Sequence, residues 1–408
     1  DDLRAVWQSH YDGNLDYATG WYRTASQYLR SNYAAAFAFV STNSVSQGLP
    51  VAPLFQALFA EGWRIRFAHR TFAWDAQSTD MAHVHVVIVG MDQSSDSIHP
   101  PVLYTYRSLN SDPEKRIAAH ISPYLIDAPD IFIERRGFPL SSELSEVIMG
   151  SMPRDGGHLM IDTPEEYDAA MRDDIARKYV HPFRMGKELI RGLDRWCLWL
   201  KEASGSDIQQ SPFLRKRIIL VKNFRQDSAA ASTQAWSNRP QLFVQENQPT
   251  VPYVGIPKVF SEKRRWATCA RLSPDIIAGD KVYTCIDPYG FMFSLFESGM
   301  FIAWQKAIGG RLKSDCSFSN TVVWNNLPLP AVDPELREQI IEAGKHIEQV
   351  RAQYPNESLA SLYSALGMHP DLIKAHEQLD RLVDKAFGSE KPCHTDEERL
   401  TVLFAQYK

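Results

Sequence analysis

The chain has 408 residues, more than one ordinary domain, so we expect two or three domains that each bury their own core. Its net charge of −5 and its hydrophobic fraction of 44% indicate a globular protein and argue against an indiscriminate nucleic-acid coat. The sequence has no signal-peptide pattern and no apolar run of about 18 residues, and its five scattered cysteines form no CxxC pair, so we expect reduced thiols in a cytoplasm and no membrane partner.

The first 91 residues predict an alternation of helices and strands. In order, the expected elements are a helix at 14–30, a strand at 34–40, a polar turn at 41–48, a helix from Pro53 to its cap at Gly62, and strands at 65–74 and 83–90. The last two strands are close enough in sequence to pair as a hairpin. This order is typical of an α/β fold.

The region from about 106 to 330 predicts a separate, strand-rich domain. Short β-like runs alternate there with Pro, Gly, Asp and Asn, and helical patterns interrupt them. After Gly90, the clearest strand candidates are Tyr104 and residues 131–134, 195–200, 253–259 and 281–286; the helical patches are 163–178, 212–225 and 289–308.

The C-terminal part, residues 331–408, predicts a helical element. Its two expected helices, at 335–352 and 370–387, carry apolar residues on one face. This part holds 14 acidic and 9 basic residues, so residues 1–330 are neutral overall. The net negative charge of the chain is therefore carried by its C-terminal part.

Positive charge is clustered within the neutral part. The first cluster is Arg215, Lys216, Arg217, Lys222 and Arg225; the second is Lys258, Lys263, Arg264, Arg265 and Arg271. Local basic surfaces of this kind can neutralise DNA phosphates while the molecule stays soluble.

Several runs of this sequence resemble successive motifs of one enzyme family. They are LDYATGWYRTA, FVSTNSVSQG, FAHRTFAW and HVVIVG in the first part, followed by MPRDGGHLM, RWCLWL, IPKVFSEKRRW, GRLKSDCSFSNTVVWNNLPLP and LIKAHEQLDRLVDKAFG. Together they are similar to the MmeI-like group of type II restriction-modification enzymes, which methylate the N6 amine of adenine in DNA. The resemblance implies the late part of a class I methyltransferase sheet at 1–105, a target-recognition domain at 106–330 and a helical tail at 331–408.

The resemblance also implies two loops that this sequence does not contain. Such enzymes bind S-adenosylmethionine with an acidic, Gly-containing loop and hold the target amine with an Asn-Pro-Pro-Tyr or Asn-Pro-Pro-Phe loop, both expected before the helix at 14–30. The run Asp287-Pro288-Tyr289-Gly290 has one proline where two are needed and is not expected to be catalytic.

We therefore expect the chain to be the C-terminal portion of a longer bacterial methyltransferase and to be inactive alone. Its expected partners are double-stranded DNA and the N-terminal half of the same polypeptide. An alternative from another class is a standalone specificity subunit that docks onto a separate catalytic protein. Magnesium is expected only if the parent also carries a nuclease.

The resemblance places one wall of the target-base pocket on this chain. An adenine in a duplex has to be swung out and stacked on a ring before its amine can be methylated. Phe72 is the expected stacking ring, although a plain core role or competition from Trp74 is equally open. Asn43 and Gln47 follow a strand and either line the pocket or make a turn. His69 and Arg70 either touch a nearby phosphate or form a solvated strand end.

The second basic cluster is expected to read the DNA sequence. Forked donors such as Arg recognise guanine and acceptors such as Glu recognise cytosine, and the family's S-E-x-R pattern is kept here, which points to Glu262 and Arg264 as base readers. The alternative is a solvated ion-pair cluster on a hairpin. The expected phosphate contacts are Lys258, Lys263, Arg265, Arg311 and Lys313, whereas Arg215, Lys216, Lys222 and Arg225 fit a solvated helix face better.

Two further features favour structural roles. The turn at Asp155-Gly156-Gly157 could cradle a phosphate with its backbone amides, but it has the composition of an ordinary turn, which is the interpretation that we favour. His83 and His85 alternate onto one face, and packing against a neighbouring sheet explains them better than a metal does.

Overall fold

The computed structural model describes residues 1–74, 84–94, 98–106, 110–312 and 315–407. The chain forms two compact units: unit 1 comprises Asp1–Leu144, Gly299–Asp333 and Asp380–Lys408, and unit 2 comprises Ser145–Ser298 and Pro334–Leu379. Both units are assembled from segments that lie far apart in sequence. A linear division at residues 105 and 330 does not describe this arrangement, and that division stays a prediction.

The described residues form the following α-helices and β-strands. The helices are α1 Asp2–Trp7, α2 Thr19–Leu29, α3 Val51–Ala60, α4 Pro164–Arg172, α5 Gly186–Arg191, α6 Gly205–Gln210, α7 Pro212–Gln226, α8 Ala231–Gln234, α9 Phe291–Phe296, α10 Gly299–Ile308, α11 Pro334–Ala352, α12 Leu359–Leu362, α13 Pro370–Ala386 and α14 Asp396–Gln406. The strands are β1 Phe37–Thr42, β2 Arg64–Trp74, β3 Val84–Asp92, β4 Val102–Tyr106, β5 Pro113–Ile117, β6 Val147–Met149, β7 Met160–Ile161, β8 Val180–Arg184, β9 Trp196–Leu198, β10 Tyr253–Pro257, β11 Val259–Phe260, β12 Ala270–Leu272, β13 Ile277–Ala278, β14 Val282–Ile286, β15 Gly310–Leu312 and β16 Asp315–Ser317. Of the helices described, none has the length and apolar character that a bilayer crossing requires.

A sheet with the strand order β1-β3-β2-β4-β5 forms the centre of unit 1. β3 pairs antiparallel with both β1 and β2, which confirms the predicted hairpin. β4 pairs parallel with β2 and antiparallel with β5. A Cβ at Gly90 on β3 would lie 2.1 Å from the Phe67 ring on β2, so any larger residue at this position would displace that ring. The predicted α/β character of the first part is confirmed.

Unit 2 contains two small sheets, with strand orders β12-β10-β14-β6 and β13-β8-β9-β7. The strand-rich character predicted for the middle of the chain is thus confirmed. The second sheet packs on α7, whose buried Leu214 and Val221 join Phe183 and Phe243 in one apolar core. Helix α7 begins where Ser211 accepts a hydrogen bond from the amide of Leu214, with a proline at the first helical position.

Several predicted boundaries were wrong. The first strand spans Phe37–Thr42 and takes in part of the predicted polar turn, and the first long helix begins only at Thr19. Residues 131–134 have irregular backbone instead of a strand. The helical patch at 289–308 is divided into α9 and α10 at residues 297–298. His83, the predicted start of β3, lies outside the described residues.

Helices dominate the C-terminal part, as predicted, but α14 was missed. Thr395 caps α14 by accepting a hydrogen bond from the amide of Glu398, whose carboxylate accepts one from the Thr395 amide. The sequence Thr395-Asp396-Glu397-Glu398 is the recognisable signal of this capping box. All five cysteines of the chain are buried.

Candidate functional site

Five aromatic side chains gather on β2 and β4 of unit 1. We call His69, Phe72, Trp74, Tyr104 and Tyr106 the aromatic cluster. The Phe72 ring stacks on Tyr106, with centroids 5.0 Å apart and planes inclined by 19°. His69 stacks on Tyr104 at 4.1 Å and 5°. A hydrogen bond of 2.8 Å joins His69 Nδ1 to the Tyr106 hydroxyl, so the two stacked pairs form one unit.

A β-bulge brings His69 and Phe72 together. His69 lies opposite Ile88 and Phe72 lies opposite Val86, so three steps along β2 match two steps along β3. Regular alternation would place residues 69 and 72 on opposite faces, and the extra residue of the bulge restores them to one face. Phe72 and Trp74 share a face by simple alternation, as predicted, with ring centroids 6.3 Å apart.

The aromatic cluster is uncharged near neutral pH. Burial lowers the pKa of His69 below its ordinary value and raises the pKa of Tyr106 above its ordinary value. Phe72 itself is half-buried. The cluster therefore presents ring faces without net charge, which suits stacking on a neutral planar group such as a nucleobase.

The loop after β1 carries the other predicted pocket residues. Asn43 begins a short 3₁₀ turn, Asn43–Ser46, and is half-buried. Gln47 Oε1 accepts a hydrogen bond of 3.1 Å from Arg311 Nε on β15, and the amide of Gly48 donates to the carbonyl of Ile308. Unit 1 thus joins Gln47, which the sequence placed near the pocket, to Arg311, which the sequence assigned to phosphate.

Arg70 lies in an acidic environment. Burial lowers the pKa of its guanidinium, and the carboxylates of Glu397 and Asp396 at the start of α14 act in the opposite direction. The same two acids also pair with Arg116 and Lys306. Arg70 is therefore not a simple solvated strand end, and its expected phosphate contact stays a prediction.

We call residues 261–265, between β11 and β12 of unit 2, the basic loop. Glu262 and Arg264 are half-buried, and Arg264 Nη1 donates to Thr268 Oγ1. Arg265 is exposed, pairs with Glu377 at 2.9 Å and lies over the Trp266 ring at 4.3 Å. Lys263 is exposed.

Two further cations, Lys258 and Lys313, were predicted to contact phosphate. Lys258, on the strand side of the basic loop, is half-buried, and its amide donates to the carbonyl of Lys281. Lys313, between β15 and β16, lies outside the described residues. Their phosphate contacts therefore stay predictions.

The basic cluster on α7 differs from its predicted description at one residue. Arg215, Lys216 and Lys222 are exposed, as a solvated helix face requires, but Arg225 is 0% exposed. Its guanidinium donates hydrogen bonds to the carbonyls of Pro153, Arg154, Trp236, Arg239 and Leu242. Desolvation lowers the pKa of Arg225. This arginine cross-links the backbone and is not a phosphate ligand.

Two sequence patterns turn out to be structural. In MPRDGGHLM, the buried Asp155 accepts hydrogen bonds from the amides of Gly157 and Leu159, which makes the favoured turn. In the Asp-Pro-Tyr-Gly run, the buried Asp287 accepts hydrogen bonds from the amides of Gly290, Met292 and Phe293. Asp287 therefore holds the start of α9.

Sequence reasoning missed the contribution of Tyr104 and Tyr106 to the cluster. Tyr104 was taken only as a strand marker, and Tyr106 was not singled out. Two tyrosines in alternation on one strand were the available signal. The parallel pairing of β4 with β2, which places Tyr104 opposite His69, could not be read from that alternation.

Three family models match this chain in sequence order. The model described as the DNA-methyltransferase domain of MmeI matches residues 1–105, the MmeI target recognition domain matches residues 127–331, and the MmeI C-terminal domain matches residues 332–408.

Two similar proteins cover nearly all of the chain. DNA methyltransferase A of Bacillus subtilis (strain 168) is 34% identical over 394 residues, which are 97% of this chain and 44% of that protein. The structure of the type IIL restriction-modification enzyme MmeI in complex with DNA superposes with a TM-score of 0.84 at 34% identity, covering 99% of this chain and 54% of that one. The chain thus spans about half the length of these relatives.

Proposed function

Because this chain belongs to the MmeI family, we propose that it forms the sequence-reading part and one wall of the target-base pocket of a DNA adenine-N6 methyltransferase. The observation that carries the proposal is the extent of the similarity. One structure, that of an enzyme in complex with DNA, matches 99% of the chain with a TM-score of 0.84. No comparison favours the alternative of a standalone specificity subunit.

Phe72 is the proposed platform for the flipped adenine. Tyr106 covers one face of its ring at 5.0 Å, so a base would stack on the other face. The hydrogen bond between the Tyr106 hydroxyl and His69 Nδ1 and the stack of His69 on Tyr104 hold Tyr106 in place. Base–aromatic stacking contributes about 1–3 kcal/mol per base. Asn43 is proposed to line the same pocket.

The basic loop is proposed to read base edges in the major groove. Arg264 offers a forked donor for guanine, and Glu262 offers an acceptor for the amino group of cytosine. The hydrogen bond from Arg264 to Thr268 orients the guanidinium before DNA arrives. Each correct contact of this kind discriminates against a wrong base by about 1–3 kcal/mol.

Phosphate contacts are proposed for the cations around these two sites. They are Lys258, Lys263, Arg265, Arg311, Lys313 and Arg70. Arg311 is the best supported, because hydrogen bonds from Nε to Gln47 and from Nη1 to Cys316 Sγ fix this half-buried side chain. A phosphate contact carries no sequence information and appears as salt dependence of binding.

S-adenosylmethionine is the proposed methyl donor. Enzymes of this family hold this cofactor with an acidic, Gly-containing loop expected before the helix at 14–30, and none of the described residues is assigned to that loop. The residues of this chain are therefore given no step that involves the cofactor. Magnesium belongs to the proposal only if the whole protein also carries a nuclease.

The nature of the methylated base tests the proposal. The full-length protein is incubated with duplex DNA and labelled S-adenosylmethionine, and the DNA is then digested to nucleosides. The label is expected in N6-methyladenine. Label in a methylated cytosine, or no transfer by the full-length protein, would contradict the assignment.

Ring substitutions at Phe72 test the base platform. Phe72→Leu removes the ring at similar volume and is expected to lower the rate of methyl transfer about tenfold or more, because base stacking is lost. Phe72→Trp keeps an aromatic face and serves as the matched control, with most of the activity retained. Equal activity of both variants would exclude Phe72 as the platform.

A further inference from the structure

A buried polar network in unit 2 lies directly beside the basic loop. Its members are Glu297 after α9, Arg351 on α11, Tyr363 after α12 and His376 on α13. Glu297 and His376 are 0% exposed. Arg351 Nη2 lies 2.7 Å from Glu297 Oε2, and Arg351 Nε donates to the Tyr363 hydroxyl at 2.9 Å. The network therefore connects α11, α12 and α13 through charged and polar groups.

The network has a consistent pattern of donors and acceptors. His376 Nδ1 donates to the Glu297 carbonyl at 3.0 Å, and a hydrogen bond of 2.6 Å joins His376 Nε2 to the Tyr363 hydroxyl. Desolvation, together with the nearby charge of Arg351, lowers the pKa of His376 well below its ordinary value. The lowered pKa favours a neutral imidazole, which donates from Nδ1 and can accept from the Tyr363 hydroxyl at Nε2.

The same groups fasten the segment that follows the basic loop. The amide of Cys269 donates to Glu297 Oε1 at 2.8 Å, and the Cys269 carbonyl accepts from Arg351 Nη1 at 3.0 Å. The Trp266 ring stacks on His376, with centroids 4.4 Å apart and planes inclined by 23°. Trp266 and Cys269 are both fully buried. Both ends of the segment 266–269 are therefore fixed by helices of the C-terminal part.

The basic loop itself contacts both the segment 266–269 and helix α13. Arg264 bonds Thr268 inside the fastened segment, and Arg265 pairs with Glu377, the residue after His376 on α13. A base reader needs a fixed side-chain geometry, which supporting hydrogen bonds provide. The loop has no regular secondary structure to provide it.

We infer that Glu297, Arg351, Tyr363 and His376 are positioning residues for sequence readout, so that the C-terminal helices set the geometry of Glu262 and Arg264. This inference rests on the proposed function of the basic loop. It gives the C-terminal part, predicted only as a helical element, a role in specificity. A buried charged network is otherwise a weak source of stability compared with well-packed apolar residues.

The substitution Tyr363→Phe tests this inference in the full-length protein. It keeps the ring and removes the hydroxyl that Arg351 and His376 bond. The matched control is Tyr354→Phe, which removes a hydroxyl that donates to Asp371 at 2.8 Å outside the network. Each protein is used to select bound duplexes from a randomised pool, and its thermal unfolding and the salt dependence of its binding are recorded.

Tyr363→Phe is expected to reduce the preference at the read base pairs about tenfold, with an unchanged salt dependence, because phosphate contacts persist while the reading geometry is lost. The control is expected to keep the wild-type preference. A uniform loss of binding, or an unchanged preference in Tyr363→Phe, overturns the inference.

Two further variants make every outcome decisive. If Tyr363→Phe does not fold, His376→Gln replaces it, because the Gln amide can keep a donor for the Glu297 carbonyl while the ring that stacks on Trp266 is lost; an unchanged preference in His376→Gln then overturns the inference. The double variant Glu262→Ala, Arg264→Ala is selected in parallel. If it keeps the wild-type preference, the reader assignment fails and the inference with it; if only Tyr363→Phe keeps the preference, the inference alone fails.

Discussion

The basic cluster on α7 and the basic loop both concentrate positive charge in sequence, but the burial of their cations differs. On α7, Arg225 is fully buried and bonds five carbonyls, and Arg217 bonds Glu166 and the carbonyls of His158 and Met160. In the basic loop, Lys263 and Arg265 stay exposed. A helix with one face in a core draws some of its arginines inward, whereas the basic loop keeps two of its three cations exposed and leaves Arg264 half-buried. Charge density in sequence therefore does not tell which cations can meet DNA.

The largest effect is expected at Arg225. Arg225→Leu removes five donors and leaves buried carbonyls without partners, so the free energy of unfolding should fall by about 3–5 kcal/mol. Lys222→Gln, on the exposed side of the same helix, should change it by less than about 0.5 kcal/mol. Urea denaturation measures both. Equal changes would remove the distinction between the two faces of α7.

Stability should also depend on pH through His376, beneath the basic loop. Because its pKa is lowered in the folded state, the unfolded chain binds more protons below about pH 6.5, and the free energy of unfolding falls as the pH falls further, by up to about 1.4 kcal/mol per pH unit. The groups that face this imidazole are Glu297, Arg351, Tyr363 and Arg265.

The variant His376→Gln isolates this contribution, because His69 also has a lowered pKa and stays present in both proteins. Unfolding of the wild type and the variant is measured between pH 5 and pH 7.5, a range on either side of the ordinary histidine value of about 6.5. The wild type should lose more stability towards low pH than the variant does. Parallel pH profiles would show that His376 is not held neutral.

A smaller effect is expected at Thr268, which orients Arg264. Thr268→Val removes the hydroxyl that accepts from Arg264 and should lower base preference by about threefold to tenfold, the value of one such hydrogen bond. The matched control is Thr284→Val, at another buried threonine whose hydroxyl donates to the Ile148 carbonyl. Selected motifs are compared for both. Unchanged preference in Thr268→Val would mean that Arg264 is oriented by other groups.

The smallest effect separates the two clusters by salt dependence. Lys263→Gln should reduce the slope of log affinity against log salt by about one ion, because one phosphate contact is lost. Lys222→Gln should leave the slope unchanged, since the exposed face of α7 is expected to contact solvent and not DNA. Binding is titrated over a range of salt concentrations. A reduced slope in Lys222→Gln and an unchanged slope in Lys263→Gln would mean that α7, and not the basic loop, contacts phosphate.

Local patterns predicted much of the fold. The helical patch at 212–225 is α7, and the helices at 335–352 and 370–387 are α11 and α13, because apolar spacing and caps are local signals. The hairpin of β2 and β3 followed from two β-rich runs close in sequence. The parallel partner β4 and the bulge in β2 depend on contacts that local patterns do not contain.

The candidate site was predictable in part for the same reason. Phe72 and Trp74 share a face by alternation, but His69 joins them only through the bulge. Arg225 could not be told from its exposed neighbours, because its five acceptors come from two loops, one of which precedes it by 71 residues or more. One signal of the buried network was present: His376 lies between Leu372 and Leu379 at the spacing of an apolar helix face.

The most direct test of the central claim, that the basic loop reads DNA sequence, is selection from a randomised duplex pool at moderate salt. Full-length wild type and the double variant Glu262→Ala, Arg264→Ala are compared, and the bound DNA is sequenced. We predict that the wild type enriches a defined motif and that the variant still binds DNA but loses the preference at one or more base pairs of it. An identical motif from both proteins would contradict the account.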